Sequence, residues 1–304
     1  MKISTSMLFD RATERMSTIQ NRLATTQAQM AVSKQILSPS DAPDQAAAIQ
    51  RLRGAVQRQD SHTEALNVAM RRFTAEETAL SSSSDIMIRI KELGLQAAND
   101  TLSPDDRQAV GVELKALRQQ LMSLGNSRDD SGNYLFSGTR VNTPPFAEGA
   151  DGAVTYQGDL TQTQIPAGVE RIVQFTRAGT DVYSRVVRED GQSVGFFDAL
   201  DQMIDAVDSS NTQGIQQGIA DVTQMSNSLE LTLAQTGSDQ KVVQSQLDVL
   251  QETTLRLKSS LSEIEDLDYA SAITKMNKEM MALEAAMGSF SKISGLSLFD
   301  YIRG

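Results

Sequence analysis

The chain has no cysteine and no tryptophan, one histidine, six prolines in 304 residues, and only 5% aromatic side chains. Each shortage removes an option. Without cysteine there is no disulfide, thiolate ligand or thiol nucleophile. His62, the lone histidine, sits in a polar helical stretch, so metal sites and Ser-His arrangements that need a second partner have no foundation, and it reads as an ordinary surface residue. Scarce prolines leave long helices uninterrupted, and scarce aromatics supply little for one large globular core. No phosphate-cradling glycine loop or dinucleotide fingerprint is present, and no cofactor is implied.

Long apolar runs are missing too. Polar residues break every apolar stretch before the ~20 residues a helix needs to cross a bilayer, which argues against membrane insertion. The first residues, MKISTSMLFDRATERM, lack the apolar block of a secretory signal, so a secreted chain is expected to leave by another route. The net charge is −11 and no basic stripe appears, which excludes a nucleic-acid-binding face. The acidic cluster Glu263, Glu265, Asp266 and Asp268 lacks the glycine and ordered ligand run of a calcium loop, so it reads as a solvated helix end.

What is abundant is alanine, serine, glutamine, leucine and methionine in heptad order. Phe9, Ala12, Met16, Ile19, Leu23, Thr26, Met30, Ser33 and Leu37 follow strict three-four spacing, the stripe of a coiled-coil seam. Ser38-Pro39-Ser40-Asp41-Ala42-Pro43 stops that helix, and Asp44 is expected to cap the next. A second seam runs through Leu66, Met70, Phe73, Leu80 and Met87, admitting Glu77 and Ser84. Pro104 with Asp105 and Asp106 restarts a helix in the manner that suits the positive end of its dipole. Helical pattern returns at about Phe196 and persists through Val243, Leu247, Leu250, Thr254, Leu257, Leu261 and Ile264. A last segment carries Ile273, Met276, Met280, Leu283, Met287 and Phe290. The thirteen methionines fall mostly on these seams, where a thioether fills irregular gaps.

Between Gly132 and Gly191 the composition shifts to Gly, Thr, Pro, Val and Tyr with short alternating stretches, which predicts strands. The expected architecture is mainly α: a long helical rod of paired N- and C-terminal helices with a small β-rich inserted domain. Residues 1–44 and 268–304 form terminal coiled-coil segments, 45–138 and 192–267 a helical domain, and 139–191 an outward β-rich insertion that the helices do not need. Charge agrees with paired ends: residues 1–40 carry five basic and two acidic side chains, residues 261–304 four and seven. A heptad stripe alone more often belongs to an intramolecular bundle than to an assembly surface.

The residues at the two ends are more specific. Ser33 to Ile49, SKQILSPSDAPDQAAAI, resembles the helix-breaking loop near the N-terminus of the flagellin and hook-associated superfamily. The stretch from Leu261 to Gly304 resembles that superfamily's closing helix, with a Leu-Ser-Leu-Phe tail at Leu296 to Phe299. GNYLFSG at Gly132 to Gly138, followed by Pro144-Pro145-Phe146, is similar to the segment by which the hook-associated branch leaves its helical part. The likeness covers roughly the first 146 and last 110 residues. One departure stands out: Ser33, Lys34 and Gln35 occupy positions where the family usually has a small residue, glycine and two basic residues.

The resemblance implies a non-enzymatic extracellular subunit at the junction of flagellar hook and filament, made in the cytoplasm and exported unfolded through the flagellar type III apparatus. It implies self-association in a helical lattice, hook-associated protein 1 and flagellin as neighbours, and a cytoplasmic export chaperone on the C-terminal segment. The expected assembly seam is Phe9, Met16, Ile19, Leu23, Met30 and Leu37 at one end, and Ile273, Met276, Met280, Leu283, Met287 and Phe290 with Leu296, Leu298 and Phe299 at the other. Two other readings fit the heptads: flagellin itself, and a non-flagellar cytoplasmic coiled-coil adaptor, in which the tail at Leu296 to Phe299 has no purpose.

Overall fold

A computed structural model describes the backbone of residues 2–99, 101–150, 152–167, 171–188 and 190–302, and their side chains except at residues 2–6, 8 and 293–302. Helices dominate. They are α1 (Lys2–Val32), α2 (Pro43–Ala97), α3 (Pro104–Gly125), α4 (Gly179–Val182), α5 (Phe196–Asp208), α6 (Thr212–Glu265) and α7 (Tyr269–Ile302). Between α3 and α5 lie three antiparallel two-stranded pieces: β1 (Phe146–Glu148) with β2 (Val154–Tyr156), β3 (Gln164–Pro166) with β4 (Ile172–Gln174), and β5 (Val186–Val187) with β6 (Ser193–Val194).

Local chemistry sets the breaks. At α3 the Ser103 hydroxyl accepts from the Asp106 amide at 3.2 Å, Pro104 fills the first turn, and Asp105 and Asp106 lie at the positive end of the dipole. α1 ends at Val32, earlier than the heptads suggested, because Ser33 turns to φ 58°. The loop beyond it is braced by Asp41, whose Oδ2 accepts from the Leu37 and Ser38 amides. α2 starts at Pro43, so Asp44 sits in its first turn and does not cap it. The helical stretch expected to persist from Phe196 is broken once: Ser210 takes φ 56° and the Asn211 side chain accepts from Gly214 N to start α6. A second break, 266–268, separates α6 from α7.

Two compact units result, residues 1–60 with 252–304 and residues 61–251, and α2 and α6 contribute to both. The larger unit holds the main core. Leu80, Met87, Ile90 and Leu93 of α2 join Leu114 and Leu121 of α3, Leu200 and Met203 of α5, and Ile215, Val222 and Met225 of α6. Gly94 and Gly218 leave the space that Met203 fills, since a Cβ on either would fall within 2.5 Å of that side chain. On the α2 seam Leu66, Phe73, Leu80 and Met87 are buried as expected, but the polar residues turned inward are Arg72, Glu76 and Ser83, whereas Glu77 is exposed and Ser84 half-buried.

The strand-bearing region is part of this unit, not an outward insertion. Phe146, Tyr183, Phe196 and Phe197 form an aromatic knot with centroids 5.1 to 5.9 Å apart, and Phe136 adds its ring to Tyr183 at 6.0 Å. Ala167 and Val173 pack in a second cluster with Leu66, Phe73, Val243 and Leu250. The motif GNYLFSG enters the main core: Leu135 and Phe136 are wholly buried there, and Arg72 of α2 donates to the Leu135 carbonyl at 2.7 Å. Gly138 closes the motif at φ 66°, where a side chain would strike the Asp159 backbone.

Candidate assembly surface

The smaller unit is built from α1, α7, the start of α2 and the end of α6. Phe9, Ala12, Met16, Ile19, Leu23 and Met30 line one side of α1, all half-buried, with Thr26 fully buried among them. The Thr26 hydroxyl donates to Glu279 of α7 at 3.2 Å, which accounts for a polar residue in the seam. On α7 the inward positions are Ala272, Met276, Glu279, Leu283, Ala286 and Phe290, again at three-four spacing. Three residues of the expected seam lie one position round the helix: Ile273, Met280 and Met287 are 43%, 42% and 45% exposed. They form an apolar stripe of period seven that the described residues leave partly exposed. Leu37, beyond the end of α1, is also exposed. The side chains of Leu296, Leu298 and Phe299 lie outside the described residues.

This unit has little interior. Among its described residues only Thr26, Ile49, Glu265 and Ala272 are buried, and an open groove of about 600 Å³ remains between α1 and α7, walled by Ile19, Arg22, Thr274, Lys278 and Ala282. A seam of half-buried residues gains only part of the ~25 cal/mol per Å² of full burial.

What the seam lacks, a polar clasp partly supplies. Gln35 N donates to the Glu265 carbonyl at 2.8 Å and Leu267 N to the Ser33 carbonyl at 3.1 Å, so the loop after α1 pairs briefly with the link between α6 and α7. The Glu265 carboxylate takes Lys34 from that loop and Arg53 from α2. Burial pushes this carboxyl up, but hydrogen bonds from Lys34 and Arg53 outweigh it and hold the group below its usual range. The Tyr269 hydroxyl donates to the Met30 carbonyl at 2.9 Å, which leaves Ser33 Oγ to donate to it at 2.6 Å. Asp268, in the acidic cluster, caps α7 through Ala270 N and Ser271. Gln35 leaves the loop with one cation, and Arg53 supplies the second from a helix the sequence reading had not connected to it. Ala272, Glu279 and Ala286 were missed as well, although their spacing of seven was legible, because the larger neighbours drew the stripe.

Among the described residues no helix is long and apolar enough to cross a membrane. Residues 3–141 match the model of the bacterial flagellin N-terminal helical region, and residues 219–302 that of the C-terminal helical region. The chain belongs to the flagellin family. Within that family it is 27% identical to flagellar hook-associated protein 3 of Escherichia coli over 315 residues, 99% of either chain. It is 29% identical to the protein of that name from Salmonella typhimurium over 318 residues, the whole of both. Polar flagellin A of Vibrio parahaemolyticus is 22% identical over 280 residues, 69% of this chain and 74% of its own. Two solved structures share the flagellin-family fold. FlgL of Xanthomonas campestris, 22% identical, has a TM-score of 0.61 over 70% of this chain and 99% of its own. A flagellar hook-associated protein of Vibrio parahaemolyticus, 18% identical, reaches 0.67 over 74% and 100%.

Proposed function

We propose that this chain is a structural subunit of the bacterial flagellum that joins hook to filament. The observation that carries the reading is the end-to-end correspondence with two hook-associated proteins 3, which runs through both helical regions and the strand-bearing region between them. The terminal unit supports a role in assembly: a heptad pair with a thin interior, an open groove, and the uncovered stripe Ile273, Met280 and Met287. Neighbouring subunits in a helical lattice cover that stripe, and its burial adds the apolar area that α1 and α7 do not provide for each other. In this reading Phe9, Met16, Ile19, Leu23 and Met30 hold α1 to α7, and Leu37 joins the outer stripe in the lattice.

The neighbours are hook-associated protein 1 on one side and flagellin on the other. Before assembly the chain passes from the cytoplasm through the flagellar type III apparatus, with a chaperone over the C-terminal segment. The role is that of a building block and involves no chemical step. Immunogold labelling of intact flagella tests it: a band confined to the hook-filament boundary is the expected result, whereas label along the filament makes the chain a flagellin and label only inside the cell makes it an adaptor.

A further inference from the structure

The α2 seam of the larger unit buries two charges among its apolar residues. Arg72 and Glu76, one turn apart, are 3% and 0% exposed. Two guanidiniums and three carboxylates meet there. Arg72 reaches Glu76 at 3.5 Å and Asp129, in the loop after α3, at 3.4 Å. Arg177, in the segment before α4, reaches Glu76 at 3.3 Å and Asp239 of α6 at 2.7 Å. The remaining polar neighbours are neutral: Arg72 also donates to the carbonyls of Phe175 and Leu135, and Gln235 donates to Asp239. With every carboxylate ionised, the cluster carries one negative charge that no cation answers.

An unanswered charge in a site closed to water is costly, and a buried group escapes the cost by changing protonation. Glu76 is the carboxylate placed to do so. Asp129 accepts from the Ser131 and Asn133 amides in addition to Arg72, and Asp239 from Gln235 in addition to Arg177. Glu76 Oε1 has no hydrogen-bond partner.

We propose that Glu76 keeps its proton in the folded chain well above the pH at which an ordinary glutamate loses it, and that this proton is a pH-sensitive latch on the seam joining α2, α6 and the strand-bearing region. Burial pushes the Glu76 carboxyl up to about 7, against the pull of Arg72 and Arg177. The unfolded chain releases the same proton near pH 4.3. Between those values the native state binds more protons, so stability falls as pH rises, by up to about tenfold in the folding constant per pH unit. The loss is complete once the folded group has ionised.

Denaturant unfolding of the full-length monomer from pH 5 to 8.5 tests this in the wild type, Glu76→Gln and Asp239→Asn. Glutamine keeps the shape of the protonated acid and removes the titration; asparagine balances two cations against two anions and lets Glu76 ionise early. Both variants are expected to flatten the profile between pH 5 and 7 relative to wild type. In the ¹³C spectrum of carboxyl-labelled glutamates, one resonance absent from Glu76→Gln is expected to titrate between pH 6 and 8. A wild-type slope retained in Glu76→Gln, or no carboxyl titrating in that range, overturns the proposal. An unchanged slope in Asp239→Asn overturns the charge excess as its cause.

Discussion

The ring of Phe9 meets the ring of Phe290 edge to face, with centroids 5.3 Å apart and planes at 87°. The pair joins the start of the α1 stripe to a late turn of α7, and the Thr26–Glu279 hydrogen bond joins the same two helices further along. Such a pair contributes about 0.5–1.5 kcal/mol beyond its buried area. Its neighbours are all half-buried, so the register of the two ends rests on a few specific contacts.

Inward and outward positions of α7 are expected to behave differently. Serine at Ile273, Met280 and Met287 together changes only exposed side chains outside the buried cores, and each change should alter monomer stability by less than about 0.5 kcal/mol. Incorporation into sheared flagella should nonetheless be lost. Leu283→Ala, on the inward side, should instead weaken protection of α1 in hydrogen exchange. Flagella that still take up the triple variant would show that the outer stripe is dispensable.

The left-handed turn at Ser33 predicts a ranking. A non-glycine residue there costs about 1–2 kcal/mol, and the hydroxyl recovers part of it through Tyr269. Ser33→Gly removes strain and bond together and should be near neutral. Ser33→Ala keeps the strain and loses the bond, and should be less stable than the glycine variant by about 1 kcal/mol. Urea midpoints of the two proteins check the order.

Glu265 gives the clasp an acid limit. Its folded pKa is lowered, so its contribution is present above the usual glutamate value and disappears as pH falls through the folded one. The amide resonance of Gln35, which bonds the Glu265 carbonyl, should shift on acidification below pH ~4.3 in the wild type and not in Glu265→Gln. The sign is opposite to that of Glu76.

Deleting residues 141–190 should unfold the larger unit, contrary to what an outward insertion would allow. The cut removes Phe146, Val173, Arg177 and Tyr183 from its cores. Loss of one large aromatic alone costs about 3–5 kcal/mol, against a typical total of about 5–15. A circular dichroism melt without a cooperative transition is the expected outcome, and a sharp one would restore the insertion model.

Much of this architecture was legible because heptads state their own geometry. The half-buried residues of α1 from Phe9 to Met30 are those the spacing picked, and the cap at Ser103 was written in Pro104, Asp105 and Asp106. On α2 and α7 only one of the two seam positions in each heptad was legible. Spacing favours the largest apolar residue near each position, whereas the fold placed Glu76, Ser83, Ala272 and Glu279 inward because partners elsewhere in the sequence satisfy or fit them. Glu76 is buried through Arg177, a residue 101 positions away, and no local pattern announces that. The break at Ser210 had a signal, the polar run Ser209-Ser210-Asn211-Thr212, which the strong periodicity on either side masked.

Without tryptophan, the near-ultraviolet signal of this chain comes chiefly from its five tyrosines, four of which have described side chains. Tyr134, Tyr156 and Tyr183 belong to the larger unit, and Tyr269 sits in the clasp. Tyr183 is wholly enclosed in the aromatic knot, and burial holds its phenol well above the ordinary range despite the hydrogen bond to Ser83. An alkaline spectrophotometric titration is therefore expected to show a phenol that ionises only when the knot opens. The protein carries an intrinsic optical reporter of the larger unit's core, with no label added.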